Sequence, residues 1–335
     1  MKAKLRKLYS WNTIKLLLAL GLIVFVIQKI DLSYIPELSE RMSWFWFFAR
    51  VAFFFLLLFL KALQYYMVID DDIGYRDMLN VVVWQNIISN FISNTAGIAS
   101  YMTMLKADKK VKLTRSGITF LMVKFGDVLI VGIYLLLSSK MVEEEIQSLQ
   151  SLTILIIMGI IFGIGLVITT IIFRESFINL IERMLILMRL EKISIIQRGL
   201  DALHSLAQEK QKKIFSMLQK SVLTSALYMT ATMMYSYTVV GIFDLPIKVW
   251  ENIYITSILQ LISFVPIQVL GGLGITEVSM VYLYGVFGIN PVEMAAVSLG
   301  VRALFYLLNG MLLFYIPINV LIQKKHKNEG VTRAK

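Results

Sequence analysis

The 335-residue sequence contains no cysteine. Disulfides, thiolate metal sites and cysteine nucleophiles are therefore excluded. Histidine is almost as scarce, and His204 and His326 lie in polar segments far apart. A histidine-based metal or catalytic centre is not expected, so no metal, no cofactor and no catalytic residue is assigned, and the chain is not expected to be an enzyme. It also lacks a hydrophilic tract of about 100 residues or more, the size a soluble catalytic domain needs. Gly271, Gly272 and Gly274 are not followed by the Lys-Ser/Thr of a phosphate-binding loop, and no ATP motif is present.

Apolar sequence fills the space instead. Hydrophobic residues make up 58% of the chain, against roughly 45–50% in soluble domains, and the mean hydropathy is +0.73. This composition predicts a single integral membrane domain over residues 1–335. The formal net charge of +11 resembles that of a nucleic-acid binder, but its placement does not. Lys and Arg cluster at Lys2, Lys4, Arg6 and Lys7, at 106–115, at 174–220 and at 323–335. Short basic segments beside apolar runs mark loops facing an anionic cytoplasmic leaflet. The first apolar run lacks a small-residue cleavage site and reads as a retained helix.

A membrane span needs about 20 apolar residues. Suitable runs cover 13–30, 44–69, 116–138, 151–173, 214–240 and 291–321. Two more, 79–105 and 252–288, are broken by polar or glycine-rich sequence. With the N-terminus inside, 13–30 leads to an acidic outer loop carrying Asp31, Glu37 and Glu40, where Trp44 and Trp46 mark the aromatic belt. The return through 44–69 leaves 79–105 followed by Lys106, Lys109, Lys110, Lys112 and Arg115. A full crossing there would put a basic loop outside, against the positive-inside rule. The charges instead predict a hairpin of two half-helices with its tip near Asn94–Ser100 and arms of about 12 residues, roughly 18 Å each.

Segment 116–138 then exits to Glu143, Glu144 and Glu145, 151–173 returns, and 214–240 exits again. Segment 252–288 breaks at Gly271–Gly274, either as a second hairpin or as two full crossings; loop charge gives the same parity for both. Segment 291–321 brings a basic tail, 322–335, back to the cytoplasm. The expected fold is all-α and polytopic, with about six spans and two broken hairpins. Span, span, hairpin, span occurs twice in opposite orientation, over about 13–138 and about 151–321. Such inverted repeats place substrate sites near the midplane between the halves.

Charge and amide groups inside this apolar frame are the candidate site. Asn86, Asn90 and Asn94 recur every four residues, making a polar ladder on one helix face, although small polar residues also serve helix packing. Lys124 and Asp127 stand three apart, within reach of each other. Arg302 has no acid three or four residues away; Glu277 is its expected partner and a lipid phosphate its sharper one. Gly97 and the group Pro266, Gly271, Gly272 and Gly274 mark the hairpin tips. Arg50 and Lys61 lie toward opposite ends of their span and are expected to snorkel to the interfaces. Phe177, Ile181, Met184, Leu185 and Met188 fit an interfacial amphipathic helix. The hydroxyl-rich segment 214–240 suits either a cavity wall or ordinary packing.

The run Pro266-Ile-Gln-Val-Leu-Gly-Gly-Leu-Gly-Ile-Thr-Glu277, with Gly288 and Arg302 downstream, resembles the lysylphosphatidylglycerol synthase transmembrane-domain family. That family looks flippase-like in membership and includes stand-alone proteins in cell-envelope and glycan contexts. The resemblance covers essentially the whole chain, and Lys124-x-x-Asp127 sits where the family usually shows Arg-x-x-Asp. The first hairpin departs from the pattern: the family tends to carry Pro, then Gly-Glu and an Arg, whereas Gly97 is followed here by Ile98, and Tyr101 stands at the Arg position. The soluble aminoacyl-transferase domain of the full-length synthases is absent from this sequence, so the resemblance does not imply lysyl transfer.

Together these features predict flippase-like translocation of a phospholipid or polyprenyl-linked sugar across the cytoplasmic membrane. Membrane lipids or lipid-linked saccharides are then the partners, and nucleic acid is not. Arg302 and Lys124 hold phosphate, Glu277 and Asp127 set local charge, and the asparagines bond sugar or glycerol. One alternative is a non-catalytic membrane platform for a separate glycosyl- or aminoacyl-transferase of envelope biosynthesis. Another is an ion-coupled transporter of a small solute.

Overall fold

A computed structural model describes residues 42–69, 71–187, 211–264 and 274–333, together with Glu40, His204 and Gly272. Among them are nine α-helices: α1 (Trp44–Ile69), α2 (Tyr75–Phe91), α3 (Asn94–Lys109), α4 (Leu113–Met141), α5 (Gln150–Leu187), α6 (Gln211–Ile242), α7 (Val249–Phe264), α8 (Ile275–Val286) and α9 (Pro291–Arg333). Four stretches are long and apolar enough to cross a membrane: Trp44–Ile69, Leu113–Met141, Gln147–Thr169 and Pro291–Leu312. Helix α6 has 32 residues, but its hydroxyl side chains lower its hydropathy. The chain is an all-α, multi-pass membrane protein. The expected span 13–30 lies outside the described residues.

The first broken segment is a helix pair, with its break earlier than expected. Helix α2 ends at Phe91 and Ser93 opens α3, so Asn94–Ser100 is helical and not the tip. The Ser93 backbone is extended, and its hydroxyl accepts the Ala96 amide at 3.2 Å, an N-cap that starts a new helix where the old one could have continued. The arms have 17 and 16 residues, so each reaches about 25 Å rather than 18 Å. Gly97, expected at the tip, lies inside α3. A Cβ there would sit 2.7 Å from Ser89 Cβ and 2.9 Å from the Gln85 carbonyl. Its absence lets the two arms close on each other.

The second break does fall in the glycine run. Gly272 and Gly274 are buried with φ of 81° and 83°, a left-handed conformation that glycine adopts without a steric cost. Pro266 and Gly271 lie outside the described residues.

Two long helices outrun their expected ends. Helix α5 continues through the predicted interfacial segment as far as Leu187, because residues 174–187 contain neither glycine nor proline to stop it. The separate amphipathic helix is therefore not formed there, and Met188 lies outside the described residues. Helix α9 runs on through the basic tail to Arg333.

Helix α1 packs along α6, α4 lies against α6 and α7, and α2 touches α9. Two apolar clusters hold this arrangement. One joins α1, α2 and α3 to the early parts of α4 and α6; the other joins the later parts of α4 and α6 to α7, α8 and the start of α9. On α4 and α6 the cavity-lining Lys124, Asp127, Tyr228 and Thr232 fall between them. Arg115 is buried at the base of α4, where its Nε donates to the Ile69 carbonyl at 2.7 Å and so caps the C-terminus of α1.

Gly97→Val should lower stability by about 1–3 kcal/mol, because the added carbons meet the α2 backbone. Gly117→Val is the control, since its nearest neighbour is Met102 Cε at 3.9 Å. Thermal unfolding of both variants in detergent checks this, and equal melting temperatures would count against the close hairpin.

Candidate functional site

Eight of the nine helices, all but α5, contribute to a cavity of about 450 Å³. Arg302, Lys124, Asp127, Glu277, Asn90 and Asn94 line it. An adjoining cavity of about 310 Å³ adds Asn86 and shares Lys61, Lys124, Asn90 and Asn94. The structure thus brings together every charged and amide candidate from the sequence.

The asparagine ladder is built from two helices rather than one. Asn86 and Asn90 sit on α2 and hydrogen-bond each other. Asn94 is the first residue of α3, and Ser89 Oγ donates to its side chain at 3.2 Å. Asn90 Nδ2 also donates to Asn309 Oδ1 at 2.7 Å. Asn309 went unmarked in the sequence although it lies seven residues after Arg302, on the same face of α9.

Asp127 is almost fully buried, and three donors satisfy it. Lys61 Nζ lies 2.8 Å from Oδ2, and Gln64 Nε2 donates to Oδ1 at 2.7 Å. Ser225 Oγ donates to the same oxygen at 3.0 Å while accepting from Gln64 at 2.6 Å. The expected partner, Lys124, stands farther off at 4.0 Å. Its ammonium lies 4.7 Å from the Phe264 ring centre, and about a third of the side chain remains accessible. The i,i+3 spacing correctly places Lys124 near Asp127 but misses Lys61, which supplies the close bond. Gly126 makes room for this node: any Cβ there would collide with Ser221 and Ser225.

Arg302 forms an ion pair with Glu277 through Nε and Oε1. The Glu277 Oε2 atom accepts the Gly274 amide at 2.6 Å, so one carboxylate both holds the arginine and caps α8. The arginine faces Phe305, 5.2 Å from the ring centre.

Arg50 and Lys61 overturn the snorkelling expectation. Both line the cavity, and Arg50 is 4% exposed. They are eleven residues apart, a spacing that puts them on one face of α1; the apolar flanks of α1 concealed this. The guanidinium of Arg50 lies 4.1 Å from the Tyr235 ring centre. Its Nη1 donates to the Tyr235 carbonyl at 3.3 Å and to Thr238 Oγ1 at 3.2 Å. Segment 214–240 has both of its expected roles: Tyr228, Thr232, Tyr235 and Ser236 face the cavity, and Ser221 and Ser225 pack beneath Gly126. Tyr101 is fully buried against Tyr65, with ring centres 4.6 Å apart, and does not line the cavity.

Asp127→Ala should cost about 3–5 kcal/mol by leaving buried cations without their carboxylate. Lys61→Met combined with Asp127→Leu should cost less than the two single changes together, by about 0.5–3 kcal/mol. Denaturation in mixed micelles measures both quantities, and strict additivity would refute the coupling.

The family model described as the lysylphosphatidylglycerol synthase TM region matches residues 12–312. No curated protein and no solved structure matches the chain.

Proposed function

We propose a function that proceeds from one premise: the chain belongs to the lysylphosphatidylglycerol synthase TM region family. On this reading it carries the headgroup of a phospholipid or polyprenyl-linked sugar through its polar cavity while the acyl or prenyl chain stays in lipid. It sits in the cytoplasmic membrane with its basic loops and both termini inside. The two halves, inserted in opposite senses, present their hairpins to the cavity from either side. Transfer runs down a gradient of lipid or is coupled to an ion or proton gradient. The chain performs no bond chemistry.

The observation that carries this reading is a cavity of about 450 Å³ walled by charge and amides inside an apolar bundle. Ionisable residues at membrane depth are costly, and they mark substrate paths where they face water-filled space. The volume lies within the roughly 300–1,000 Å³ range of ligand pockets. Lys124 contributes an accessible ammonium. Arg302, oriented by Glu277, contributes a planar fork suited to phosphate oxygens. Asn86, Asn90 and Asn94 offer donors and acceptors to sugar or glycerol hydroxyls. Glu277 also links the arginine to the cap of α8, so a phosphate drawing on Arg302 acts on the hairpin itself.

Reconstitution into vesicles with fluorescent lipids, read by chemical quenching of the outer leaflet, tests the reading. Lys124→Ala should slow translocation about tenfold or more, the loss of one charged hydrogen bond, at unchanged protein level. Arg302→Ala paired with Glu277→Gln should do the same without stranding a buried carboxylate. Wild-type transport by both variants would remove this site from the mechanism.

A further inference from the structure

The two adjoining cavities share Lys124 and differ in the chemistry of their walls. Arg50, Arg302, Asp127 and Glu277 line the larger one and not the smaller. Among the described residues that line the smaller cavity, of about 310 Å³, there is no carboxylate and no arginine. Its polar wall is carried by six carboxamides, Gln85, Asn86, Asn90, Asn94, Gln260 and Asn309. Both of its cations, Lys61 and Lys124, are shared with the larger cavity. Lys61 is committed to Asp127 at 2.8 Å, so Lys124 is the accessible charge where the two spaces join.

Some of these carboxamides hold helices together, and others are left open. Asn90 Nδ2 gives one hydrogen to Asn86 Oδ1 and the other to Asn309 Oδ1, while Asn309 Nδ2 donates to the Phe305 carbonyl at 2.8 Å. Asn94 Oδ1 is taken by Ser89. Among the described residues nothing accepts from Asn86 Nδ2 or Asn94 Nδ2, nothing donates to Asn90 Oδ1, and the Gln260 side chain makes no hydrogen bond. Three NH2 groups and two carbonyl oxygens are thus open, spread over α2, α3 and α7. Packing alone would pair such groups in an apolar bundle.

The mixture of open donors and acceptors selects the ligand. A phosphate only accepts and leaves the two oxygens unmet. An ammonium only donates, leaves the NH2 groups unmet, and is repelled by the lysines. A hydroxyl does both. A glycerol headgroup brings two hydroxyls, which accept at most four hydrogen bonds, whereas three NH2 groups offer six. A sugar or cyclitol ring brings more hydroxyls and sets them around its rim, facing walls on different helices.

We infer that the smaller cavity is a subsite for a neutral polyhydroxyl ring, and that this ring is borne by the lipid phosphate that Lys124 takes at the junction. The inference deepens the translocation reading and rests on it for the cavity's being a ligand site. Asn86, Asn94 and Gln260 donate to ring hydroxyls, and Asn90 and Gln260 accept from them. A lysyl headgroup finds no carboxylate there and is disfavoured.

Binding to the full chain in a zwitterionic detergent tests the inference, since a sugar detergent would compete for the subsite. The probes are phosphatidylinositol and farnesyl-phosphoryl-glucose, which carry a ring, phosphatidylglycerol and lysylphosphatidylglycerol, which do not, and glucose 1-phosphate, which has no lipid. At least one ring-bearing lipid should bind about tenfold or more tightly than phosphatidylglycerol, the worth of two further hydrogen bonds. Gln260→Leu should cut that preference about fivefold, the worth of one. Lys124→Ala should weaken all the phosphate-bearing lipids alike. No preference for a ring would overturn the subsite; transport of phosphatidylglycerol or lysylphosphatidylglycerol would then leave translocation standing, and transport of no lipid would bring it down too. Ring-selective binding with transport of no lipid would uphold the subsite and remove translocation. Glucose 1-phosphate binding as tightly as the ring-bearing lipids would overturn the lipid assignment. An unaltered preference in Gln260→Leu would overturn the role of Gln260. The wild-type ranking needs no variant, so misfolding of Gln260→Leu leaves the test intact.

Discussion

The buried carboxylate of Asp127 ties α1 and α6 to α4 at the centre of the bundle. A charge taken out of water costs several kcal/mol unless it is paired and its remaining lone pairs are satisfied. Lys61 and Gln64 from α1 and Ser225 from α6 satisfy this one, so two helices meet α4 at a single point. The contact is close because residue 126 is glycine and residues 221 and 225 are serines. The same register turns the face of α1 bearing Arg50 and Lys61 inward. The inward placement of Arg50 and Lys61 therefore follows from the satisfaction of one anion.

The helix breaks complete the cavity for a related reason. Backbone N–H and C=O groups cannot be left bare in hydrocarbon, so a helix ends at membrane depth only where protein or water takes them up. Ser93 supplies an acceptor for α3, and Glu277 supplies one for α8. Both caps lie beside residues that line the cavity, so the polar atoms that end the helices also furnish its wall. Glu277 differs from Ser93 in carrying charge, and Arg302 neutralises it. That pairing accounts for an arginine in the middle of an otherwise apolar helix.

The sequence made the frame legible wherever hydrophobic length alone decides. The runs 44–69, 116–138 and 291–321 correspond to α1, α4 and the membrane part of α9. Loop charge and glycine content found the two broken segments. They misplaced the first break, because capping by one serine is a local hydrogen-bond event that hydropathy does not register. Site residues were readable when a partner lay three or four positions away on the same helix, or when a known pattern contained them. Lys61, Gln64 and Asn309 were not, since their partners lie 66, 63 and 219 residues distant. Arg50 was misassigned for a different reason. Six residues from the start of its helix, it is within reach of the interface by length, and only the packing of α6 against α1 shows that it points elsewhere.

The balance of charge bears on the proposed carrier reading, because a structural ion-pair network would look different. A network built for stability alone would match its charges, since every unpaired buried charge weakens the fold. Here the Arg302–Glu277 pair is matched, the Asp127 node carries one lysine more than it needs, and among the described residues Arg50 is met by neutral partners. On the proposed reading, an anion entering the cavity offsets the charge that this wall leaves unmatched. For a carrier the imbalance is useful, because a phosphate headgroup leaving water loses its hydration and must find equivalent contacts along the way. On the proposed reading, the Arg302–Glu277 pair ties the hairpin to the headgroup, and Lys124 and Arg50 add further contacts.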